Sequence, residues 1–593
     1  MNAKRLTKIV LVILLVSIGV SLLFACNEPI DKTTTRKNTD EDINKDFDSS
    51  DLDSTYDEGV ATVISFSDGS ASVSGIGASA IGTDVVINSK GVYLIKGSTS
   101  DGSISVDVGK KNEVQLVLDG VELTNSDGPA ILIKSGSKIT ITLAKNKINK
   151  ISDGESYNLL ENGSAVDGAI FSKSNLIING EGALVLNGRN AHGIVSKDEL
   201  SITGGTLDVT AAGSGICGKD ALKITNAQIT VNAGTDALKS DNDIDEGCGY
   251  IYIKDGSFDL TSVNDGIQAF GVVSIEGGNF KIKTISTLST ASAKAIKGGS
   301  SVTIKGGSFD IDTEDDALHS NGDIYISGGE FSIISGDDGI HADNTLEISS
   351  GRLIIENSYE GVEATDIIVS GGYIDITSSD DGMNASGGND SNTSIIGGRP
   401  GGDMFGSTTG SITVSGGYII IHNEGDGVDA NGTLEVSGGV ILVDGPQSGG
   451  NGSIDYGSSA KITGGVVITL GTSDMAQNFT EATQGSVLVS SGGYFPAGTV
   501  LSICDDAGNV ILAFTSTKAF RGALFSAPEL EKGKTYTFYA NATVEGLDEN
   551  GYAHNTKQTG GESCGSVTLD DYICGQGSSM PGGGPGGPGG RPR

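Results

Sequence analysis

The chain has 593 residues, a formal net charge of −37, 91 glycines and no tryptophan. So acidic a chain argues against nucleic acid and anionic lipid surfaces as partners, because its summed field repels them. Glycine at this density argues against long helices, and the absence of any C-x-x-C pair argues against a zinc or thiol-redox centre.

Residues 1–25 read as a secretory signal. Lys4 and Arg5 precede the apolar run 9–20, and Leu23-Phe24-Ala25-Cys26 has the form of a lipobox. Cys26 is then the lipidation site, and that anchor is the chain's one expected link to a membrane. The expected location is the bacterial cell surface, outside the cytoplasm. Residues 26–58 are polar, acidic and poor in apolar side chains. They are expected to form a flexible spacer.

Residues 59–484 carry a repeat. Gly306-Gly307-Ser308-Phe309-Asp310-Ile311 leads to Asp315-Asp316-Ala317-Leu318, and 22 residues later Gly328-Gly329-Glu330-Phe331-Ser332-Ile333 leads to Asp337-Asp338-Gly339-Ile340. A fixed period in this range means a solenoid. Alternation over three to five residues, as in Ser301-Val302-Thr303-Ile304-Lys305, is strand periodicity. The predicted fold is all-β, a right-handed parallel β-helix with three short strands per coil. Residues 60–165 read as its lead-in coils. Phe258, Phe280, Phe309, Phe331, Tyr373 and Tyr418, which follow the turn glycines, are expected to stack inside the coil. Tyr250, Tyr252 and Tyr325 are the expected outward aromatics.

Residues 485–548 lose the repeat and are expected to form a small β-rich cap. Residues 549–593 are Gly/Pro-rich towards the end and are expected to be a disordered tail. Cys564 and Cys574 are close enough in sequence to pair.

Coils in register turn recurring residues into surface columns. The residue before the small one gives Asp236, Asp265, Lys294, Asp316, Asp338, Glu360, Asp381 and Asp426, and the residue before that adds Asp315, Asp337 and Asp380. Two places after the small residue lie Lys239, Gln268, Lys297, His319, His341, Glu363, Asn384 and Asp429, with Asp343 further along. Carboxylates one rung (about 4.8 Å) apart repel by roughly 3–4 kcal/mol at an effective dielectric near 20. Such a column needs solvent, protons or cations. Clustered hard oxygens suit Ca²⁺. The expected ligands are Asp315, Asp316, Asp337, Asp338, Asp343, Glu360, Glu363, Asp380, Asp381, Asn384, Asp426 and Asp429. The favoured set is Glu360, Glu363, Asp381 and Asn384, with the Asp337/Asp338 rung. The alternative is that these acids are turn formers, since Asp before Gly bonds its own backbone.

His319 and His341 stack as neighbours and are expected to hydrogen-bond the acidic column; with Tyr325 they are candidate ligand contacts. A lyase acting on an acidic polysaccharide needs a base beside a cation. Lys239, Lys294 and Lys297 are the candidates. Lys294 among carboxylates should have a raised pKa, which argues against a base.

The stretch Gly91-Val92-Tyr93-Leu94-Ile95-Lys96-Gly97, the strands that follow it to Leu143, the Asp-Gly-Ile-x-Ala coils and the terminal segment from Gly508-Asn509-Val510 to Tyr536 resemble a known family. It is the family of bacterial cell-surface carbohydrate-binding domain-containing proteins. The resemblance spans roughly residues 60–545 and implies a pectate-lyase-like parallel β-helix with bound calcium that binds cellulose and acidic cell-wall sugars. It does not imply catalysis. The 387–410 insertion departs from the pattern and is placed to overhang a binding face. Few outward aromatics and many acids favour acidic polysaccharide, bridged through calcium, over cellulose. A polysaccharide lyase and a structural adhesin with a protein partner are the alternatives.

Overall fold

The structure is a computed structural model that describes residues 39–575 apart from 68, 162–163, 287–291 and 387–409. The signal, Cys26, the body of the 387–410 insertion and the end of the tail lie outside the described residues.

The coil is a parallel β-helix. Each turn contributes three strands, such as Leu318–Ser320, Asp323–Ile326 and Glu330–Ser335, and each pairs in parallel with its counterparts one coil away. Inward positions are apolar and essentially fully buried, as Ile296, Leu318, Ile324 and Ile333 are. In-register pairing puts Phe258, Phe280, Phe309 and Phe331 on successive rungs. Their rings stack at 4.6, 4.7 and 4.5 Å, within 5° of parallel. Burial of each such ring contributes about 1.5–3 kcal/mol. Gly307, before Phe309, has φ of +113°, and a Cβ there would lie 3.0 Å from the Gly278 carbonyl oxygen. Both the backbone conformation and the space require glycine.

Tyr373 and Tyr418 do not extend this ladder. Inside the coil it continues through Leu353, Ile374 and Ile419. The tyrosines follow their turn glycines directly, one residue earlier than the phenylalanines, and a shift of one residue turns a side chain to the other face of a strand. They stack on each other outside the coil at 5.7 Å. There the cap covers them: Tyr418 Oη donates to Asp548 Oδ2 at 2.5 Å, and Tyr552 meets the Tyr418 ring edge-on.

The cap is a five-stranded antiparallel sheet that includes Val500–Cys504, Val510–Thr515, Thr535–Ala540 and Glu562–Thr568. The last coil strand, Val466–Gly471, pairs antiparallel with Phe520–Ala527, which covers an edge that would otherwise accept another strand. The cap runs to residue 575, so the expected disordered tail from 549 is corrected: residues 552–574 supply four strands. Cys564 and Cys574 are both free thiols rather than a pair.

The expected spacer is also corrected. From residue 39 it lies along the flank of the coil. Ile43 and Phe47 pack with Tyr250 and Tyr252, which face outward from the coil as expected but are buried beneath this segment. A tether of acidic composition folds here because the flank offers it lysines and aromatic faces.

Candidate cation centre on the acidic columns

The residue before each small position sits where the chain enters the first strand of a coil, and its side chain points along the coil axis. One carboxylate oxygen accepts the backbone N–H of the equivalent residue one coil on. Lys294 N donates to Asp265 at 2.9 Å, Asp338 N to Asp316 at 3.2 Å, Glu360 N to Asp338 at 3.3 Å and Asp426 N to Asp381 at 2.5 Å. The turn-former alternative is therefore partly right: one oxygen per acid holds the next coil.

The second oxygen divides the column in two. In the first half, Asp265 apart, it meets a cation or an imidazole. Lys239 Nζ lies 2.7 Å from Asp236 Oδ2. Lys294 Nζ lies 3.0 Å from Asp315 and 2.5 Å from Asp316, and His319 Nδ1 is 2.8 Å from the same Asp316 oxygen. His341 Nδ1 is 3.1 Å from Asp338 and 2.9 Å from Glu363, with Asp343 at 3.5 Å from its Nε2. Those three carboxylates hold the imidazole of His341 charged well above its ordinary pKa, against the cost of burial.

Beyond His341 this compensation stops. Asp381, Asp426 and Asp429 bring one carboxylate oxygen each to within 4.8 Å of one another. Among the described residues no Lys, Arg or His pairs with any of them. Burial, then neighbouring acids including Asp455, push Asp381 up to about 7 and Asp426 up to about 8; burial, then Asp455, pushes Asp429 up to about 6. Asn384 lies on the rung between Glu363 and Asp429. It is 8% exposed, its Nδ2 donates to Glu360 Oε2 at 2.9 Å, and its Oδ1 has no partner. Asp429 is its in-register neighbour on the following coil. Three carboxylates and an orphaned amide oxygen are a hard-oxygen donor set that fits a Ca²⁺-like ion.

The expected ligands are thus partly regrouped. Glu360 is committed to Asn384, and Glu363 turns to His341 and Ser386, so the favoured set of Glu360, Glu363, Asp381 and Asn384 does not assemble as one shell. Asp380 bonds the Tyr359 hydroxyl. Asp315, Asp316 and Asp337 do converge, but the Lys294 ammonium already lies on two of them. Asp455, in register with Asp429, belongs to the column and was not singled out from sequence. Extending the register by one more coil would have found it.

His319 and His341, expected as ligand contacts, are 3% and 1% exposed and cannot reach a glycan. Tyr325 is 38% exposed, but on the next strand of the coil rather than on the acidic column. Of the three candidate lysines, Lys239 and Lys294 pair with carboxylates, as expected for Lys294. Neighbouring carboxylates raise the pKa of both Lys239 and Lys294 in spite of burial. Lys297 Nζ donates to Ser292 Oγ at 3.1 Å.

The family described as "Carbohydrate-binding domain-containing protein" matches residues 81–339 and again 337–499, well over half of the chain. The chain belongs to that family. Within it, a carbohydrate-binding domain-containing protein from Acetivibrio thermocellus is 39% identical over 129 residues, which are 22% of this chain and 45% of the relative. The chain thus matches about half of that relative's length. Among solved structures it is similar to a polysaccharide lyase-like protein from C. thermocellum, a gadolinium derivative, at 29% identity and a TM-score of 0.37, covering 45% of this chain and 97% of the other.

Proposed function

We propose that this carbohydrate-binding chain retains acidic cell-wall polysaccharide at the bacterial surface through calcium held on its C-terminal coils. One observation carries the reading: Asp381, Asp426 and Asp429 converge without a basic partner among the described residues, and Asn384, whose amide oxygen has no partner, stands on the rung next to Asp429. A bound Ca²⁺ would reverse the local sign of an acidic surface and supply a bridge to a sugar carboxylate. The chain's own residues hold the ion and space the rungs. Asp381 and Asp426 do so while each also accepts a backbone N–H of the next coil, so the donors are fixed before the ion arrives.

The lipobox at Cys26 supports tethering to the membrane. Binding rather than lyase chemistry is favoured because the ammonium groups of Lys239 and Lys294 are locked onto carboxylates and their pKa values are raised. The test is retention of residues 39–575 on polygalacturonate and on cellulose, with calcium and with chelator, while unsaturated product is followed. Calcium-dependent retention on polygalacturonate without product is the expected result. Product formation, or retention indifferent to calcium in the intact protein, overturns the reading.

A further inference from the structure

The segment 39–58 lies against one outward column of the coil. That column runs in register through Gln115, Thr140, Ile177, Ser201, Lys223, Tyr252, Ser274 and Thr303. The strap crosses it rung by rung. Thr55 O accepts from Gln115 at 3.2 Å, and Asp51 O accepts from Asn179 at 3.1 Å and from Thr203 at 2.6 Å. Asn44 O accepts from the Tyr250 hydroxyl at 3.1 Å, and Asp40 pairs with Lys305 at 3.0 Å. Asp51 pairs with Lys138, and Lys223 Nζ donates to Asp46 O at 2.5 Å. The Phe47 ring lies 5.9 Å from Tyr252 and 5.3 Å from Lys223 Nζ.

These contacts share one chemistry. Carboxylates and carbonyls meet three lysines spaced three rungs apart, about 14 Å at the spacing of stacked strands, and a ring lies on a tyrosine. Polar side chains between them bond the strap's backbone. An acidic polysaccharide offers the same groups: carboxylates at regular intervals, hydroxyls, and pyranose faces that stack on aromatic rings.

The strap is also loosely seated. Between it and the coil is a cavity of about 220 Å³ lined by charged groups that include Asp46, Asp51, Lys138, Glu199 and Lys223. Leu52 is half exposed, and the strap's apolar contacts come down to Ile43 and Phe47 in one cluster and Tyr56, partly buried, against another. A segment held by few apolar contacts opens at low cost.

We propose that residues 39–58 are an intramolecular stand-in for ligand, and that the flank beneath them is a second, calcium-independent site for carboxylate-bearing polysaccharide. Acidic polymer and strap compete for Lys138, Lys223, Lys305 and the Tyr250/Tyr252 face. The site rests on the carbohydrate-binding reading above but not on its calcium centre, and chelator separates the two.

The test is retention on polygalacturonate in chelator of the triple variant Asp40→Asn, Phe47→Ala, Asp51→Asn, which loosens the strap and leaves the flank intact. If the strap is open for ~1–10% of the time, freeing it raises apparent affinity by about 10–100-fold. Adding Lys223→Met to that variant should abolish the gain, as should raised salt. In the wild type, amide exchange across 43–55 should speed up with polygalacturonate in chelator. A folded triple variant that gains no retention, or wild-type exchange unchanged at high polymer concentration, overturns the proposal. Loss of calcium-dependent retention alone would instead count against the acidic centre.

Discussion

Lys294 Nζ lies 2.5 Å from Asp316 Oδ2 on the next coil, with both side chains buried. The ammonium takes, across the rungs, the place that a bound cation would take. Replacing it leaves Asp315 and Asp316 facing each other without a counter-charge. Lys294→Met should therefore destabilise the coil by about 3–5 kcal/mol, the usual cost of breaking a buried pair from one side. Denaturant unfolding checks this. A variant as stable as the wild type would mean that solvent, rather than Lys294, compensates these acids.

Asp426→Asn should weaken calcium binding by at least tenfold while leaving the coil intact. The amide keeps an oxygen for the Gly452 N–H and removes one of three converging charges. Calorimetric titration reads the affinity. Asp236→Asn, at a rung where Lys239 already sits, is the control and should leave calcium affinity unchanged.

Chelated protein should lose stability as pH rises from about 4 to 8. Burial, then repulsion by neighbouring carboxylates such as Asp429 and Asp455, raises the pKa of Asp381 to about 7 and of Asp426 to about 8, against an ordinary value of 3.8. The folded state then binds more protons than the unfolded state across that window, and stability falls with pH until both groups have ionised. Calcium should flatten the slope. Melting temperatures measured with and without chelator at several pH values decide it. A chelated protein that gains stability between pH 5 and 8 contradicts the assignment.

Gly307→Ala should cost about 1–3 kcal/mol, from strain at positive φ and from the close approach to the Gly278 carbonyl. Phe309→Ala should cost more, about 3–5 kcal/mol, because it opens the middle of the ring stack. Thermal unfolding of the pair reads both, and an alanine at 307 that stabilises the protein would contradict the conformational argument.

The repeat made most of the coil legible. The step between the aspartates at 316 and 338 and the alternation around Phe309 and Phe331 dictate parallel rungs, because inward apolar side chains must recur at one place per turn. Tyr373 and Tyr418 show the limit of that reading. A single residue of offset from the turn glycine reverses the face, and the outward rings are then partly covered by a cap more than a hundred residues later in the chain. The acidic columns were legible as columns, yet their partition was not. Which carboxylate meets Lys294, His341 or only other acids depends on side-chain reach between rungs, not on spacing along the chain.

By itself the sequence determined the solenoid, its register, the small residues at each turn and the recurrence of acids on one outer line, since each follows from local alternation and a fixed period. Only the tertiary structure decided where charge goes uncompensated, at Asp381, Asp426 and Asp429, and where the strap lies. Both depend on contacts between segments distant in sequence. Composition marked residues 26–58 as unable to build a core of their own. It carried no information that another part of the chain would supply Tyr250, Tyr252 and three lysines for the strap to lie on.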